Sequence, residues 1–231
     1  MRALVVLLSV VALIDKGLGG SPTAMIGIGE DNRIYTRSKE NGSWKVASGE
    51  TCCVIAVAQM PDGSLLGVGE DNQLYTKQKP GVGEWEGPVP RSCCLIDIAV
   101  ADDGTIFGVN QKRRLLVRAN LESDWVQPRK ACCTKSVNIM PDGSLLGLAR
   151  NGKLRIRSEV EGKWSYFKSL GPRMRDVSVD PSGAIYGVSP DTCGVYKLDG
   201  EGGTWEEELP SSECMLNIVS TDVLVPPNIE S

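Results

Sequence analysis

Eight cysteines, five tryptophans and a scatter of carboxylates are the side chains of this sequence with chemistry to offer, and there is no histidine. Missing histidine removes the most versatile acid–base group near neutral pH and the commonest metal ligand. Six of the cysteines stand in adjacent pairs, Cys52-Cys53, Cys93-Cys94 and Cys132-Cys133, and the other two are Cys193 and Cys214. Without histidine beside them these thiols read as structural disulfides, neither metal ligands nor nucleophiles. Asp62, Asp71, Asp103 and Asp142 fall in turns, where bonding of the side chain to nearby backbone explains them. Glu30-Asp31-Asn32 and Glu70-Asp71-Asn72 could hold a cation but are more simply hairpin turns. No nucleophile elbow, zinc-binding helix or phosphate loop is present. No catalytic residue, metal or cofactor is expected, and the chain reads as a non-enzyme. The tryptophans have two readings: wedges between packed sheets, or platforms that stack on a sugar face through a large ring with a polar N–H. On the second reading Trp44, Trp85, Trp125, Trp164 and Trp205 are the candidate carbohydrate-binding residues, with Asn32 and Asn72 as polar neighbours.

The spacing of those residues implies the elements that hold them. The tryptophans are 41, 40, 39 and 41 residues apart. The octapeptide Met60-Pro61-Asp62-Gly63-Ser64-Leu65-Leu66-Gly67 returns unchanged as Met140–Gly147, and drifted copies end at Gly108 and Gly187. With Gly27, the pattern-closing glycines are 40, 41, 39 and 40 residues apart, which makes five units. The second unit shows the internal plan. Val54–Ala58 is a short apolar run, Pro61-Asp62-Gly63 a turn, Ser64–Val68 a second strand, Glu70-Asp71-Asn72 another turn, Gln73–Lys77 a third strand, and Trp85 opens a weaker fourth ended by Pro88 and Pro90. A sheet this small cannot bury its faces alone, so the copies must pack on one another. The expected fold is all-β: a five-bladed β-propeller of four-stranded antiparallel blades. The units run over about 25–53, 54–94, 95–133, 134–174 and 175–215. The first lacks an inner strand, and Met215–Ser220 matches Val54–Gln59 without a following turn. Residues 215–220 should therefore close the ring as the inner strand of the first blade.

Residues 1–19 carry a positive Arg2, an apolar run from Ala3 to Ile14, and small residues at Gly17 and Gly19. They read as an export signal, leaving 20–231 as one propeller in a secreted, extracellular protein. No apolar stretch is long enough for a membrane helix, so no membrane insertion is expected. A net charge of −4 with no basic stripe argues against nucleic acid. Asn41-Gly42-Ser43 is a glycosylation sequon in a predicted turn. An exported chain with an even number of cysteines should oxidise them. Adjacent residues on a strand point to opposite sides, so each doublet is expected to reach both neighbouring blades, with pairs Cys52–Cys214, Cys53–Cys93, Cys94–Cys132 and Cys133–Cys193. The rival is three vicinal disulfides with Cys193–Cys214.

The run Met60–Val68, continued by Asp71-Asn72-Gln73-Leu74-Tyr75 and a later Trp, resembles the repeat of the tachylectin-2 type five-bladed propeller lectins. It is also similar to the tectonin-repeat lectins. The resemblance spans nearly all of 20–231. It implies a secreted protein that binds N-acetylated amino sugars or microbial and egg-surface glycans at sites between blades. The chain departs from that pattern in its short units, in lacking the Gly-Gly-Trp segment of the family's sugar pocket, and in carrying cysteine doublets there. Tyr75 is matched by Tyr35 and Tyr196 but becomes Leu116 and Arg155 elsewhere. The function expected is carbohydrate recognition. The alternatives are a structural extracellular-matrix protein of shell, skeleton or mucus, and, further off, a hydrolase of the propeller type. A lectin should repeat its polar residues from blade to blade, whereas this chain keeps its core better than its loops.

Overall fold

β-Branched and leucine-rich runs of four to six residues, cut by Asp-Gly and Asp-Asn turns, leave each unit no choice but a short antiparallel meander. The structure, a computed structural model, describes residues 24–37, 43–47, 52–209 and 213–221. The export signal and the sequon at Asn41 lie outside the described residues.

The first blade holds β1 (Ala24–Gly29), β2 (Ile34–Arg37) and β3 (Lys45–Val46). The second holds β4 (Val54–Gln59), β5 (Leu65–Gly69) and β6 (Leu74–Lys77), and the third β7 (Leu95–Val100), β8 (Ile106–Asn110) and β9 (Leu115–Arg118). The fourth is β10 (Ser136–Ile139), β11 (Leu145–Leu148), β12 (Leu154–Arg157) and β13 (Ser165–Tyr166). The fifth is β14 (Asp176–Val179), β15 (Ile185–Val188), β16 (Val195–Leu198) and β17 (Glu206–Leu209), and β18 (Met215–Thr221) follows. The sheet order β18-β1-β2-β3 shows that the C-terminal strand returns to the first blade. Its register agrees with the other blades: Ile218 pairs with Gly27 as Val57 pairs with Gly67. The inner strands β4, β7, β10, β14 and β18 are neighbours around a central channel. The fold is a closed five-bladed β-propeller with no helix among the described residues.

Four strands per blade holds for only three blades. In the second and third the outer strand shrinks to single bridges, Thr76 to Glu86 and Val117 to Val126. Proline has no N–H to extend a ladder, and Pro88 and Pro128 follow these bridges closely. The fourth blade has Ser165-Tyr166-Phe167 in that place and keeps its strand.

The hydrophobic core is five seams, one between each pair of neighbouring blades. Leu66, Val68 and Leu74 of the second blade meet Leu95, Ile98 and Ile106 of the third. At the closure Tyr186, Val188 and Val195 of the fifth blade pack on Met25, Met215 and Ile218 of the first. Burial of each such side chain stabilises by about 1.5–3 kcal/mol, so the ring is held by the seams and a lone blade has little to bury.

Candidate functional site

The tryptophans lie across their own blades, each against the glycine that ends its repeat pattern. A Cβ on Gly67 would stand 2.5 Å from the Trp85 ring, and one on Gly27, Gly108, Gly147 or Gly187 would stand 3.0 Å from Trp44, Trp125, Trp164 or Trp205. This contact explains why glycine and tryptophan recur on the same comb. In four blades a cation sits over the ring: Arg37 at 5.4 Å from the Trp44 centroid, Lys77 at 5.8 Å from Trp85, Arg118 at 5.2 Å from Trp125 and Arg157 at 5.8 Å from Trp164. The fifth blade has Leu198 in that register. These cations are buried. Arg118 and Arg157 turn N–H groups into the loop between their third and fourth strands: Arg118 Nε donates to Asn120 O at 2.7 Å and Arg157 Nε to Val160 O at 2.9 Å, while Arg157 also reaches the end of the preceding blade at Lys130 O, 3.0 Å, and Arg129 O, 2.8 Å. Trp44 and Trp205 are each only 6 % exposed, and the indole nitrogens of Trp44, Trp85, Trp125 and Trp164 are buried without a hydrogen-bond partner.

Asn32 and Asn72 tie one blade to the next. Both take positive φ, 58° and 65°, in the turn between second and third strands. The carbonyl of Asn32 accepts the N–H groups of Cys53 and Val54, and that of Asn72 the N–H groups of Cys94 and Leu95. Asn32 Nδ2 donates to Glu70 Oε1 at 2.5 Å, while Asn72 Oδ1 accepts from Gln111 Nε2 at 2.5 Å.

The cysteines pair otherwise than the strand argument expects. The bonds are Cys52–Cys53, Cys93–Cys94, Cys132–Cys133 and Cys193–Cys214, with no free cysteine. Alternation fails because the doublets are not extended strand: Cys53, Cys94 and Cys133 have φ of 89°, 80° and 138°. A left-handed second residue turns the chain and brings both side chains together. The turn is anchored on both sides. Cys53 N–H goes to Asn32 of the preceding blade, and Cys53 O accepts Glu70 N–H of its own at 3.1 Å. Cys94 repeats this, bonding Asn72 O and accepting Gln111 N–H at 2.9 Å, so these two doublets stitch blades through their backbone, not their sulfurs.

On this face one doublet lines a cavity of about 290 Å³ with Val54, Gly69, Glu70, Asp71, Tyr75 and Trp85. Its floor is apolar, built from the Cys52–Cys53 disulfide, Val54 and the rings of Tyr75 and Trp85, and two carboxylates stand at its side. Asp71 is fixed by bonds from Gln73 N–H at 3.0 Å, Gln73 Nε2 at 2.9 Å and the Tyr75 hydroxyl at 2.9 Å. Desolvation pushes its carboxyl up, but these bonds outweigh that and hold it below the usual aspartate value. The same bond to Asp71 raises Tyr75, which stays a neutral phenol. Of the carbohydrate-binding candidates named from the sequence, only Trp85 lines this cavity. Trp44, Trp125, Trp164, Trp205, Asn32 and Asn72 do not.

At the opposite end the five inner-strand termini, with the Pro-Asp-Gly-type turns after β4, β7, β10 and β14, enclose a well of about 830 Å³, lined among others by Met60, Ala101, Met140, Asp180 and Thr221. Further along the axis, sequence reasoning passed over a polar cluster. Asp97 on β7, Asp176 on β14 and Asn217 on β18 occupy equivalent positions and are almost fully buried. Asn217 Nδ2 donates to Asp176 Oδ2 at 2.9 Å and approaches Asp97 Oδ1 at 3.3 Å. Each also accepts a backbone N–H of the next blade: Val137 to Asp97 at 2.7 Å, Ile218 to Asp176 at 3.0 Å, Val57 to Asn217 at 3.1 Å. Burial raises both carboxyls. Asp97 goes well above the aspartate range, helped by the charge of Asp176, while N–H donors hold Asp176 to about 6. The signal was present, since Asp97 interrupts the apolar run Leu95-Ile96-Asp97-Ile98-Ala99-Val100. Among the described residues no group of three His, Cys, Asp or Glu side chains could hold a metal ion.

No family model matches the chain, and no curated protein matches it in sequence. Among solved structures it is similar to a symmetrical protein of de novo evolutionary emergence, at a TM-score of 0.64 and 14% identity over 86% of this chain and 98% of that one. It is also similar to a gluconolactonase from Xanthomonas campestris, at a TM-score of 0.59 and 14% identity over 85% and 79% of the two chains. At such identities the likeness is one of fold: the chain has the architecture of the β-propellers, whose functions differ from site to site.

Proposed function

We propose that this protein is a secreted, non-enzymatic glycan-binding module that uses the cavity at Cys52–Cys53, Tyr75 and Trp85. The observation that carries the reading is the pairing of surfaces in that cavity. A disulfide and two rings offer an apolar floor for the C–H face of a sugar, and Glu70 and Asp71 offer acceptors for its hydroxyls or for the amide N–H of an N-acetyl group. Two carboxylates in one small cavity disfavour anionic ligands, so neutral and N-acetylated amino sugars fit best and sialylated or sulfated glycans worst. The hydrolase reading finds less support: Asp97 and Asp176 are satisfied by hydrogen bonds and take no part in lining the well.

A glycan array probed with the oxidised protein tests this. Binding to neutral or N-acetylated sugars, and none to their sulfated counterparts, is the expected outcome. No binding to any glycan would sink the proposal and favour the matrix protein.

A further inference from the structure

The axial cluster poses a separate problem. Asp97 and Asp176 are both buried, both face the one side-chain amide of Asn217, and neither has a Lys or Arg nitrogen within 4 Å among the described residues. Two like charges at such a site repel each other at low dielectric. The charge of Lys135 acts on both carboxyls, but its hydrogen bonds go elsewhere: the ammonium donates to Met174 O at 3.2 Å and Arg175 O at 2.7 Å. Arg175 points away to Glu30, at 3.1 Å. Burial lowers Lys135; the charges of Asp176 and, more weakly, Asp97 pull it back up, and those of Arg113 and Arg175 push it down. Asn217 cannot turn over to offer its oxygen to a cation between the acids, because that oxygen is bound to Val57 N–H.

We propose that Asp97 and Asp176 form a single-proton lock on the ring: one proton held by the pair keeps the inner strands of the third, fifth and first blades joined through Asn217, and its loss loosens that seam. The stakes are mechanical, since the same side chains bond β7 to β10, β14 to β18 and β18 to β4. β18 is also the closing strand, so loosening acts where the ring is joined.

The direction of the pH effect follows from where the proton is. The folded protein holds one that the unfolded chain has already released above the ordinary aspartate range. The pair's contribution is therefore complete below that range. It declines as pH rises through about 6, the value of Asp176, and beyond it for Asp97. With no histidine in the chain, no other side chain with its ordinary value titrates between pH 5 and 8, and comparison with Asp97→Asn separates the pair from Lys135, which burial lowers.

The test is thermal unfolding of the full oxidised protein from pH 5 to 8, beside Asp97→Asn, with infrared difference spectra of the wild type. The wild-type midpoint should fall by roughly 5 °C or more across the window, and Asp97→Asn, which keeps the shape without the charge, should flatten the slope. A protonated-carboxyl carbonyl band should be present at pH 5 and weaken as pH rises through about 6, where Asp176 gives up its proton. A flat or rising midpoint in the wild type, an equal slope in the variant, or no carboxyl band at pH 5 would overturn the lock. Should Asp97→Asn fail to fold, the wild-type midpoint and the band decide.

Discussion

Tryptophan and glycine are one unit in this protein. The ring edge of each Trp occupies the place a Cβ would take on the central strand of its blade. Gly67→Ala should therefore destabilise by about 1–3 kcal/mol, the usual range for overpacking a filled site. Its Cβ would meet both Trp85 and Val54, at 2.5 and 3.0 Å. Urea unfolding measures this, and an unchanged midpoint would mean that Trp85 moves freely. The pairing was half legible: the sequence put both residues on one period but not in contact, because spacing along a chain does not say which face of a strand a ring crosses. The cations over four of the rings were not legible at all. Arg37, Lys77, Arg118 and Arg157 look like ordinary strand-end charges until the rings they cover are seen, and for the last three the loop carbonyls they serve.

Strands and turns were the most readable level, since alternating apolar runs and Asp-Gly turns act locally. The cysteine doublets were the least. Reading them as extended strand gave side chains on opposite faces, and a positive φ at the second cysteine, which no residue type here announces, undoes that. The vicinal arrangement makes a sharp expectation. A non-reducing digest should yield single peptides holding Cys52 with Cys53, Cys93 with Cys94 and Cys132 with Cys133, each lacking a pair of hydrogens. The sole cross-linked product should join the peptides of Cys193 and Cys214. Any cross-link between doublets would restore the stitched ring of sulfurs and remove the disulfide from the cavity floor. The missing outer strands of the second and third blades belong to this level too. Pro88 was read as a stop, and its effect was stronger than that, leaving a single bridge behind it.

Ring closure was predictable from the whole molecule alone: an early unit without an inner strand and a late strand without a unit complete each other. The register of β18 against β1 bears this out. The axis was hidden for the opposite reason. Asp97, Asp176 and Asn217 come from three blades, and a reader looking for carboxylates in loops passes over one inside an apolar strand. The two ends of the propeller also differ in chemistry. One opens a wide well; the other carries the doublets, the Asn-centred links between blades and the small cavity with its carboxylates. The proposed glycan binding belongs to the second end, where backbone stitching between blades frames the turn that carries Asp71 and Tyr75.

Titration of one array-selected glycan against wild type, Tyr75→Ala and Tyr166→Ala tests that assignment most directly. Tyr166 is 55 % exposed on the outer strand of another blade, so it controls for a tyrosine that merely faces solvent. Affinity should drop at least about tenfold, on the order of 1.4 kcal/mol, in Tyr75→Ala and stay unchanged in Tyr166→Ala. Equal affinity in all three proteins would contradict the account and move glycan recognition away from this cavity.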